Sequence, residues 1–348
     1  MSGPVIRPVI GRRGVLAGGA GVAALGLMGC GGEVVTQTER QTVGGVRRLS
    51  PLMDSIIAPG AEIEVLAEGF DWAEGPVWVR DGGYLLFTDV PGNVIWRWSE
   101  ADGLSEFMRP SGFDGEDGSH LREPGANGLT IEPSGALLMC DHGNRSLSRV
   151  DLATRTKSIV VDRFEGRRFN SPNDLVIHRS GAVYFTDPPY GLEGLNESPV
   201  KELAHNGVYR LSPDDEVVLI EDGLTFPNGV ALSPDQATLY VAVSDPEGPV
   251  IMAYDLGGDG LPTASRVLYD AAPLMGPDAP GLPDGLKVDG RGRLFATGPG
   301  GVLVLTPAGE LLGVIETGRA VANCAFGSDG TSLFMTADDL LTRVALTT

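Results

Sequence analysis

The sequence predicts an all-β fold, a six-bladed β-propeller, and three observations carry that prediction. The chain has 348 residues, with 50 Gly and 25 Pro spread between short apolar runs, which is typical of a fold with many tight turns. It has no long apolar pattern of period 3.6, so long helices are not expected. A strand–turn–strand unit recurs six times, and such repeats of about forty to fifty residues indicate propeller blades.

Each repeated unit begins with a polar lead residue, continues with a short apolar strand and a Gly- or Asp-rich turn, and ends with a second apolar strand. The third unit, residues 171–192, shows the pattern most clearly. Spacings between lead residues run from 39 residues (284 to 323) to 56 residues (228 to 284). The six lead residues are Glu74, Asn127, Asn173, Asn228, Asp284 and Asn323.

The first segment, residues 1–30, is predicted to be a signal peptide of the twin-arginine type. Arg12 and Arg13 precede an apolar run at 15–28 that is too short to span a membrane. Cys30 ends a lipobox-like sequence, where it would carry a lipid; an ordinary cleavage site with an incidental cysteine is the alternative. We therefore expect export to the periplasm, with a lipid on Cys30 as the one expected membrane contact.

The rest of the chain divides into a predicted linker at 31–60, with a short docking segment, and a propeller at 61–348. The linker is polar, contains glycine and has no clear period. An alternating strand at 62–66 is expected to complete the sixth blade beside the chain end at 343–346, because ring closure removes an open sheet edge. Cys140 and Cys324 fall in blades that are not neighbours and are predicted to be buried free thiols.

The charge of the chain narrows the classes of partner. A formal net charge of −20 disfavours nucleic acid and anionic membrane surfaces as electrostatic partners. No Gly-x-Ser-x-Gly sequence is present, so a nucleophilic serine of the α/β-hydrolase type is not expected. A small-molecule substrate or ligand therefore suits this acidic chain better than nucleic acid or an anionic membrane.

The lead residues predict a metal site. A separate turn follows the first strand of each unit, so each lead residue stands at the start of an innermost strand, and six such starts form a ring at one mouth of the channel. Glu74 and Asp284 supply carboxylates there, and the other four residues supply amides. Burying unpaired carboxylate charge is costly, and a bound divalent cation would offset that cost. All-oxygen ligands favour Ca²⁺, with Mg²⁺ or Mn²⁺ as alternatives, whereas Zn²⁺ prefers His or Cys.

The same residues carry a resemblance to a known family. The chain resembles the gluconolactonase group of the senescence marker protein/regucalcin-like family, six-bladed propellers that hydrolyse lactones with a divalent cation. The resemblance covers about residues 62–348 and rests on the motifs EGP at 74–76, SPND at 171–174, FTDPPYG at 185–191, HNGVYR at 205–210, PNG at 227–229 and PDG at 283–285.

The resemblance implies a role for each site residue. It implies metal ligands at Glu74, Asn173, Asn228 and Asp284, with Asn173 also near the substrate. It further implies that Asn127 faces the substrate and that Asn323 supports the ring. Arg122 precedes Asn127 and is expected to reach a substrate hydroxyl or carboxylate, and Tyr190 is expected to form a wall of the pocket.

The expected reaction is hydrolysis of a sugar lactone, in which the metal polarises the lactone carbonyl for attack by water. Asp284 is the first candidate to accept the proton of that water. His142 is the rival acid or base, expected on a loop at the pocket rim, or else a hydrogen-bonded loop residue. The sequence is compatible with two alternatives: another metal-dependent hydrolase on the same scaffold, of the phosphotriester type, and a non-catalytic propeller that binds sugar or protein.

Overall fold

Six antiparallel sheets follow one another along the chain, one for each repeated unit, in the computed structural model. This confirms the predicted six-bladed β-propeller. The structure describes residues 40–327 and 330–347. The predicted signal peptide and Cys30 lie outside the described residues. None of the helical segments that the structure describes has the length and apolar character of a membrane span.

The first three blades each contain four strands in sequence order, and the first strand of each lies innermost. Blade 1 consists of Ala73–Val79, Tyr84–Asp89, Val94–Ser99 and Gly103–Met108. Blade 2 consists of Ala126–Ile131, Leu137–Asp141, Ser146–Val150 and Lys157–Val161. Blade 3 consists of Leu175–Ile177, Val183–Asp187, Gly207–Leu211 and Val217–Glu221. A small hairpin, Arg163–Phe164 with Arg167–Arg168, lies between blades 2 and 3 in the chain.

Blades 5 and 6 each recruit strands from the beginning of the described chain. Blade 4 consists of Pro227–Leu232, Thr238–Val243, Val250–Leu256 and Pro262–Asp270. Blade 5 consists of Leu286–Val288, Leu294–Gly298, Gly301–Leu305, Leu311–Glu316 and the added Gly45–Arg48. Blade 6 consists of Val321–Gly327, Ser332–Ala337, Leu340–Ala345 and the added Ile63–Glu68 and Thr42–Val43. Short 3-10 turns cover Pro51–Ser55, Leu195–Glu197 and Ala272–Leu274.

The ring closes in blade 6, where an early strand pairs with the last strand of the chain. Ile63 pairs with Val344 and Glu64 pairs with Arg343 in an antiparallel register. The guanidinium of Arg343 also makes an ion pair with Glu64. This pairing confirms the expected closure, and it ties the two ends of the propeller sequence into a single sheet.

The segment before residue 60 was expected to be a linker with a short docking segment, and from Thr42 onward it forms strands of the propeller. Gly45–Arg48 pairs with the outer strand of blade 5, and the following 3-10 turn places Met53, Ile56 and Ile57 in a core shared by blades 5 and 6. All three side chains are buried, and burial of each contributes about 1.5–3 kcal/mol. The apolar residues of this segment therefore make it part of the propeller from Thr42 onward.

The core lies between neighbouring blades. Trp78 of blade 1 stacks on Phe334 of blade 6, with ring centroids 5.5 Å apart. Phe185 and Tyr209 stack within blade 3, with centroids 5.3 Å apart. Cys140 and Cys324 are buried free thiols, as predicted. Because each blade packs on the next through large side chains, the innermost strands are held in a fixed ring.

Candidate active site

Five of the six lead residues line one cavity of about 710 Å³: Glu74, Asn127, Asn173, Asn228 and Asp284. They stand at or just before the starts of the innermost strands of blades 1 to 5. A separate cavity is lined by residues farther along the same strands, among them Val77, Leu129 and Val230. The structure thus gathers the predicted ring at one end of the channel.

The glycine after a lead residue lets neighbouring inner strands approach closely. A Cβ placed on Gly75 would lie 2.0 Å from the carbonyl oxygen of Asn127, and one on Gly229 would lie 2.2 Å from the carbonyl oxygen of Asp284. Those distances are too short for any side chain, so the repeated Asn-Gly and Asp-Gly sequences serve blade-to-blade contact rather than a hairpin. The lead side chains converge because of this contact.

Three buried oxygens on this ring have no hydrogen-bond donor among the described residues: Oδ1 of Asn127, Oδ1 of Asn228 and Oδ1 of Asp284. The amide nitrogen of Asn228 donates to Ser244 Oγ at 2.9 Å, which fixes which end of the amide is left unpaired. A buried acceptor without a partner costs about 1–3 kcal/mol. A cation or a donor on a ligand would satisfy these oxygens.

Glu74 is held by the sixth lead residue, Asn323. The amide nitrogen of Asn323 lies 3.3 Å from Glu74 Oε2. Its Oδ1 accepts hydrogen bonds from the backbone of Cys324 at 2.9 Å and from Lys287 Nζ at 3.1 Å, so the amide orientation is fixed. Asn323 is absent from the cavity lining. Asn323 therefore lies behind Glu74, outside the cavity.

Burial makes the two ring carboxylates hard to ionise. Burial, together with the negative charge of Asp174 and against a hydrogen bond from the backbone of Gly75, raises the pKa of Glu74 to about 7. Burial also raises the pKa of Asp284 well above its usual range, and the charges of Glu74 and Asp174 add to that effect. A nearby cation would reverse this balance, because an opposite charge favours the ionised carboxylate.

The residues present suit a hard cation. Two carboxylates and the amide oxygens of Asn173 and Asn228 line the same cavity, and this mixed all-oxygen set is the kind that Ca²⁺ takes in proteins. Within residues 40–327 and 330–347, no cluster of three or more His, Cys, Asp or Glu side chains could hold a metal. A site here would consequently depend on amide oxygens, and the unpaired Oδ1 of Asn228 is one such oxygen.

Of the two expectations for His142, a position at the pocket rim is wrong, and a hydrogen-bonded loop residue fits the structure. The side chain is fully buried and does not line the cavity. Its Nε2 lies 3.4 Å from the amide nitrogen of Asn127. Gly191 packs directly on it, since a Cβ there would lie 2.8 Å from His142 Cβ. The loop that carries Tyr190 thus covers the histidine, and Asn127 stands between the imidazole and the cavity.

Glu123 also lines the cavity, although no repeated feature of the sequence predicted it. It is 8% exposed and lies with Oε1 2.9 Å from Arg122 Nη1 and Oε2 3.3 Å from His142 Nδ1. It precedes a proline in the connection to blade 2, outside the repeated unit, so no repeat marks it. Its place in the sequence, between Arg122 and a proline, was the one feature that could have marked Glu123 as a cavity residue.

Arg122 and Tyr190 lie together on the wall of the cavity. Both line the cavity, and Arg122 Nη1 donates to the carbonyl oxygen of Tyr190 at 3.3 Å. The ring of Tyr190 stacks on Phe226 with centroids 5.6 Å apart, and burial raises the pKa of its hydroxyl. The tyrosine hydroxyl is therefore neutral, and its stacked ring has a fixed orientation at the cavity wall.

The ion pair between Asp174 and Lys287 was also not predicted from the sequence. Asp174 is buried, its Oδ1 accepts the backbone N–H of Leu175 at 2.9 Å, and its Oδ2 lies 3.8 Å from Lys287 Nζ. In blade 3 an aspartate occupies the position that glycine takes in most of the other units. Lys287 therefore contacts both Asp174 and the side-chain amide of Asn323, which in turn contacts Glu74.

Comparison with known proteins gives consistent matches. The family described as the SMP-30/gluconolactonase/LRE-like region matches residues 72–339. The chain is 46% identical over 307 residues to a gluconolactonase of Zymomonas mobilis, covering 87% of this chain and 86% of the relative. It is 27% identical over 270 residues to a pentonolactonase of Haloferax volcanii, covering 76% and 80%. The solved structure of a gluconolactonase from Xanthomonas campestris superposes with a TM-score of 0.76 at 31% identity, covering 88% of this chain and 97% of that one.

Proposed function

Because this chain belongs to the SMP-30/gluconolactonase/LRE-like family, we propose that it hydrolyses a sugar lactone with a divalent cation at the ring of lead residues. The enzyme class follows from the relatives: the chain is a lactonase, a carboxylic ester hydrolase of the gluconolactonase kind. The cation, the mechanism and the site residues are our proposal, and the following contacts support them.

One observation carries the metal proposal: buried acceptor oxygens of Asn228 and Asp284 lie unpaired on a cavity that Glu74 and Asn173 also line. These four residues would hold the cation. Ca²⁺ is the first choice for such a donor set, with Mg²⁺ and Mn²⁺ as alternatives. When bound, a divalent cation would polarise the lactone carbonyl towards attack by water, a contribution of several kcal/mol.

The remaining residues bind substrate and move a proton. Asp284 is our candidate to accept the proton of the attacking water, because its Oδ1 is unpaired and the residue lines the cavity. His142 has no such access, and Glu123 makes an ion pair with Arg122. The unpaired Oδ1 of Asn127 would accept a hydrogen bond from a lactone hydroxyl. Arg122 and Tyr190 would donate to hydroxyl or ring oxygens from the opposite wall.

The proposed location of the protein rests on sequence alone. Arg12 and Arg13 before a short apolar run favour export by the twin-arginine route to the periplasm. Cys30 is the candidate lipid anchor. We propose a small-molecule lactone as the partner of the site, with neither nucleic acid nor a bilayer surface bound through the acidic propeller.

Proton release from a panel of aldonolactones tests the function. The full chain is stripped with chelator and resupplied with Ca²⁺, Mg²⁺, Mn²⁺ or Zn²⁺, beside Glu74→Gln and Asp284→Ala. Asp214→Ala and Glu216→Gln, two exposed acids at a turn of blade 3, are matched controls. We expect metal-restored hydrolysis that both ring variants lose and both controls keep.

Two other results would redirect the assignment. Stoichiometric cation binding without turnover of any lactone would favour the binding propeller, or a phosphotriester substrate if a phosphotriester were hydrolysed. Full activity after chelation, with no cation bound by calorimetry, would contradict the metal proposal while leaving the lactonase class in place.

A further inference from the structure

The wall of the active-site cavity has two chemically different sides. On one side Asp71, Arg122, Glu123 and Tyr190 supply charged and polar groups, beside the apolar side chains of Trp72 and Pro91. These residues come from the connections that lead into blades 1 and 2 and from loops within blades 1 and 3. The other side, here called the apolar wall, consists of Pro246, Met275, Ala279, Leu282 and Ala320. Ser244 also lines the cavity there, but its hydroxyl is already paired with the amide of Asn228 and the carbonyl oxygen of Pro283. These residues come from the loop within blade 4 and from the connections between blades 4 and 5 and between blades 5 and 6.

Met275 is the most informative member of the apolar wall. It is 41% exposed, although large apolar side chains in this structure are mostly buried. It directly follows the 3-10 turn Ala272–Leu274, and a bridge between Gly276 and Ala279 shapes the loop behind it. An unbranched thioether adapts to apolar groups of different shapes. Its exposure at the cavity is consistent with a surface that a ligand covers.

The apolar wall does not suit the hydroxyls of a sugar. Five neighbouring side chains there offer no hydrogen-bonding group other than the weak thioether acceptor of Met275. A sugar hydroxyl buried against them would lose its bonds to water without replacement, which is unfavourable. The cavity, at about 710 Å³, lies within the range that holds drug-sized ligands. A single sugar ring against the polar side would leave the apolar wall uncovered.

We infer that the apolar wall is a subsite for an alkyl substituent on the lactone ring, so that the enzyme also hydrolyses alkyl-substituted δ-lactones. This inference rests on the proposed lactonase function and adds a substrate class to it. The ring of lead residues engages the carbonyl end of the lactone, the polar side contacts its oxygens, and the alkyl chain lies along Met275 and Leu282. The reaction is still addition of water across the acyl–oxygen bond, giving a hydroxy acid.

Three lactones with a six-membered ring test the subsite: glucono-δ-lactone, δ-valerolactone and δ-decanolactone. The last two differ only by a pentyl chain on the carbon next to the ring oxygen. Proton release by the cation-loaded full chain gives kcat/KM for each. A fully buried methylene is worth about fourfold in binding, so a partly buried pentyl chain should raise kcat/KM for δ-decanolactone at least tenfold over δ-valerolactone.

Met275→Gln keeps the length of the side chain and makes its end polar. We expect it to lower the ratio of kcat/KM for δ-decanolactone over δ-valerolactone about fivefold. Ile159→Gln is the matched control, because Ile159 is 56% exposed on the outer strand of blade 2 and does not line the cavity. The control should leave the ratio unchanged.

The outcomes separate the inference from the function on which it rests. Turnover of glucono-δ-lactone with no gain from the pentyl chain, or a gain that Met275→Gln does not reduce, would overturn the subsite alone. Failure to hydrolyse any of the three lactones would contradict the proposed function and the subsite together. A pentyl gain reduced by Met275→Gln and not by Ile159→Gln would support both.

Discussion

His142 and Asn127 form a buried side-chain pair, with Nε2 of the histidine 3.4 Å from the amide nitrogen of the asparagine. The contact orients the amide, so that Oδ1 is the atom left without a partner. On the other side of the imidazole, His142 Nδ1 lies 3.3 Å from Glu123 Oε2. The histidine therefore contacts two residues that line the cavity, Asn127 and Glu123, while it does not line the cavity itself.

The first prediction concerns this pair. His142→Phe keeps a ring of similar size but leaves the amide nitrogen of Asn127 without its acceptor, a loss of about 1–3 kcal/mol for a buried donor. We expect KM for glucono-δ-lactone to rise about tenfold while kcat changes less than threefold. His178→Phe, in a hairpin turn of blade 3, is the control and should change neither constant. A large loss of kcat at unchanged KM would instead make His142 the acid or base.

The second prediction distinguishes a residue that supports a metal ligand, Asn323, from a proposed metal ligand, Asn173. Asn323→Leu removes the amide that fixes Glu74 Oε2 without removing a proposed ligand. Loss of such a supporting contact costs about 10–100-fold in metal affinity, and calorimetric titration of the chelated protein with Ca²⁺ measures it without any assay of turnover. Asn173→Ala should weaken binding more than Asn323→Leu does. Equal affinity in Asn323→Leu and wild type would show that Glu74 needs no such support.

The third prediction tests the glycine that follows a lead residue. A Cβ on Gly229 would lie 2.2 Å from the carbonyl oxygen of Asp284, whereas a Cβ on Gly248 would meet nothing within 4 Å. Gly229→Ala must push two inner strands apart, and such overpacking costs about 1–3 kcal/mol. We expect a lower free energy of unfolding for Gly229→Ala and almost no change for Gly248→Ala. Chemical denaturation of both variants provides the comparison.

The fourth prediction asks whether the segment before residue 60 belongs to the propeller. Met53 is fully buried, while its neighbour Leu52 is 57% exposed. Met53→Ala should destabilise the protein by about 2–5 kcal/mol because it leaves a cavity between blades 5 and 6. Leu52→Ala should have little effect. Similar denaturation curves for Met53→Ala and wild type would return this segment to the role of a linker.

The sequence predicted those features that depend on a repeated local pattern. Six recurrences of a polar lead residue before an apolar strand predicted six blades, the strand starts and the ring. The closing pair of Ile63 with Val344 was predictable because a propeller needs it and an unassigned strand remained at 62–66. These features follow from strand periodicity and from the cost of an open sheet edge.

The features that the sequence did not predict depend on contacts between distant segments. Glu123 lies in a connection without a repeat, and only the folded chain brings it within 3.3 Å of His142. His142 is buried under Gly191, which comes 49 residues later in the chain. Met53 and Ile57 have no regular spacing that marks a strand, and their burial depends on the groove between blades 5 and 6. Local patterns carry no information about such contacts.

The fifth prediction is a pH dependence of stability caused by Asp187, which lies in blade 3 outside the ring. Burial raises its pKa from 3.8 to about 7, against hydrogen bonds from the backbone of Asn170 and Ser171 and the charges of Arg145 and Lys201. The folded state therefore holds a proton that the unfolded state releases above a pH of about 4. The stabilisation is full below that pH and is lost as the pH rises towards 7.

Asp187→Asn removes this titration and keeps an acceptor for the backbone N–H of Asn170, which lies 2.8 Å from Asp187 Oδ2. Urea denaturation from pH 4.5 to 7.5, in chelator so that metal binding does not contribute, gives the free energy of unfolding for both proteins. The difference between pKa values of 3.8 and about 7 corresponds to on the order of 4 kcal/mol. Wild type should lose most of that amount relative to Asp187→Asn as the pH rises, because only wild type must bury an ionised carboxylate at neutral pH. Parallel pH profiles for the two proteins would mean that Asp187 is already ionised in the folded state, stabilised by Arg145 and Lys201.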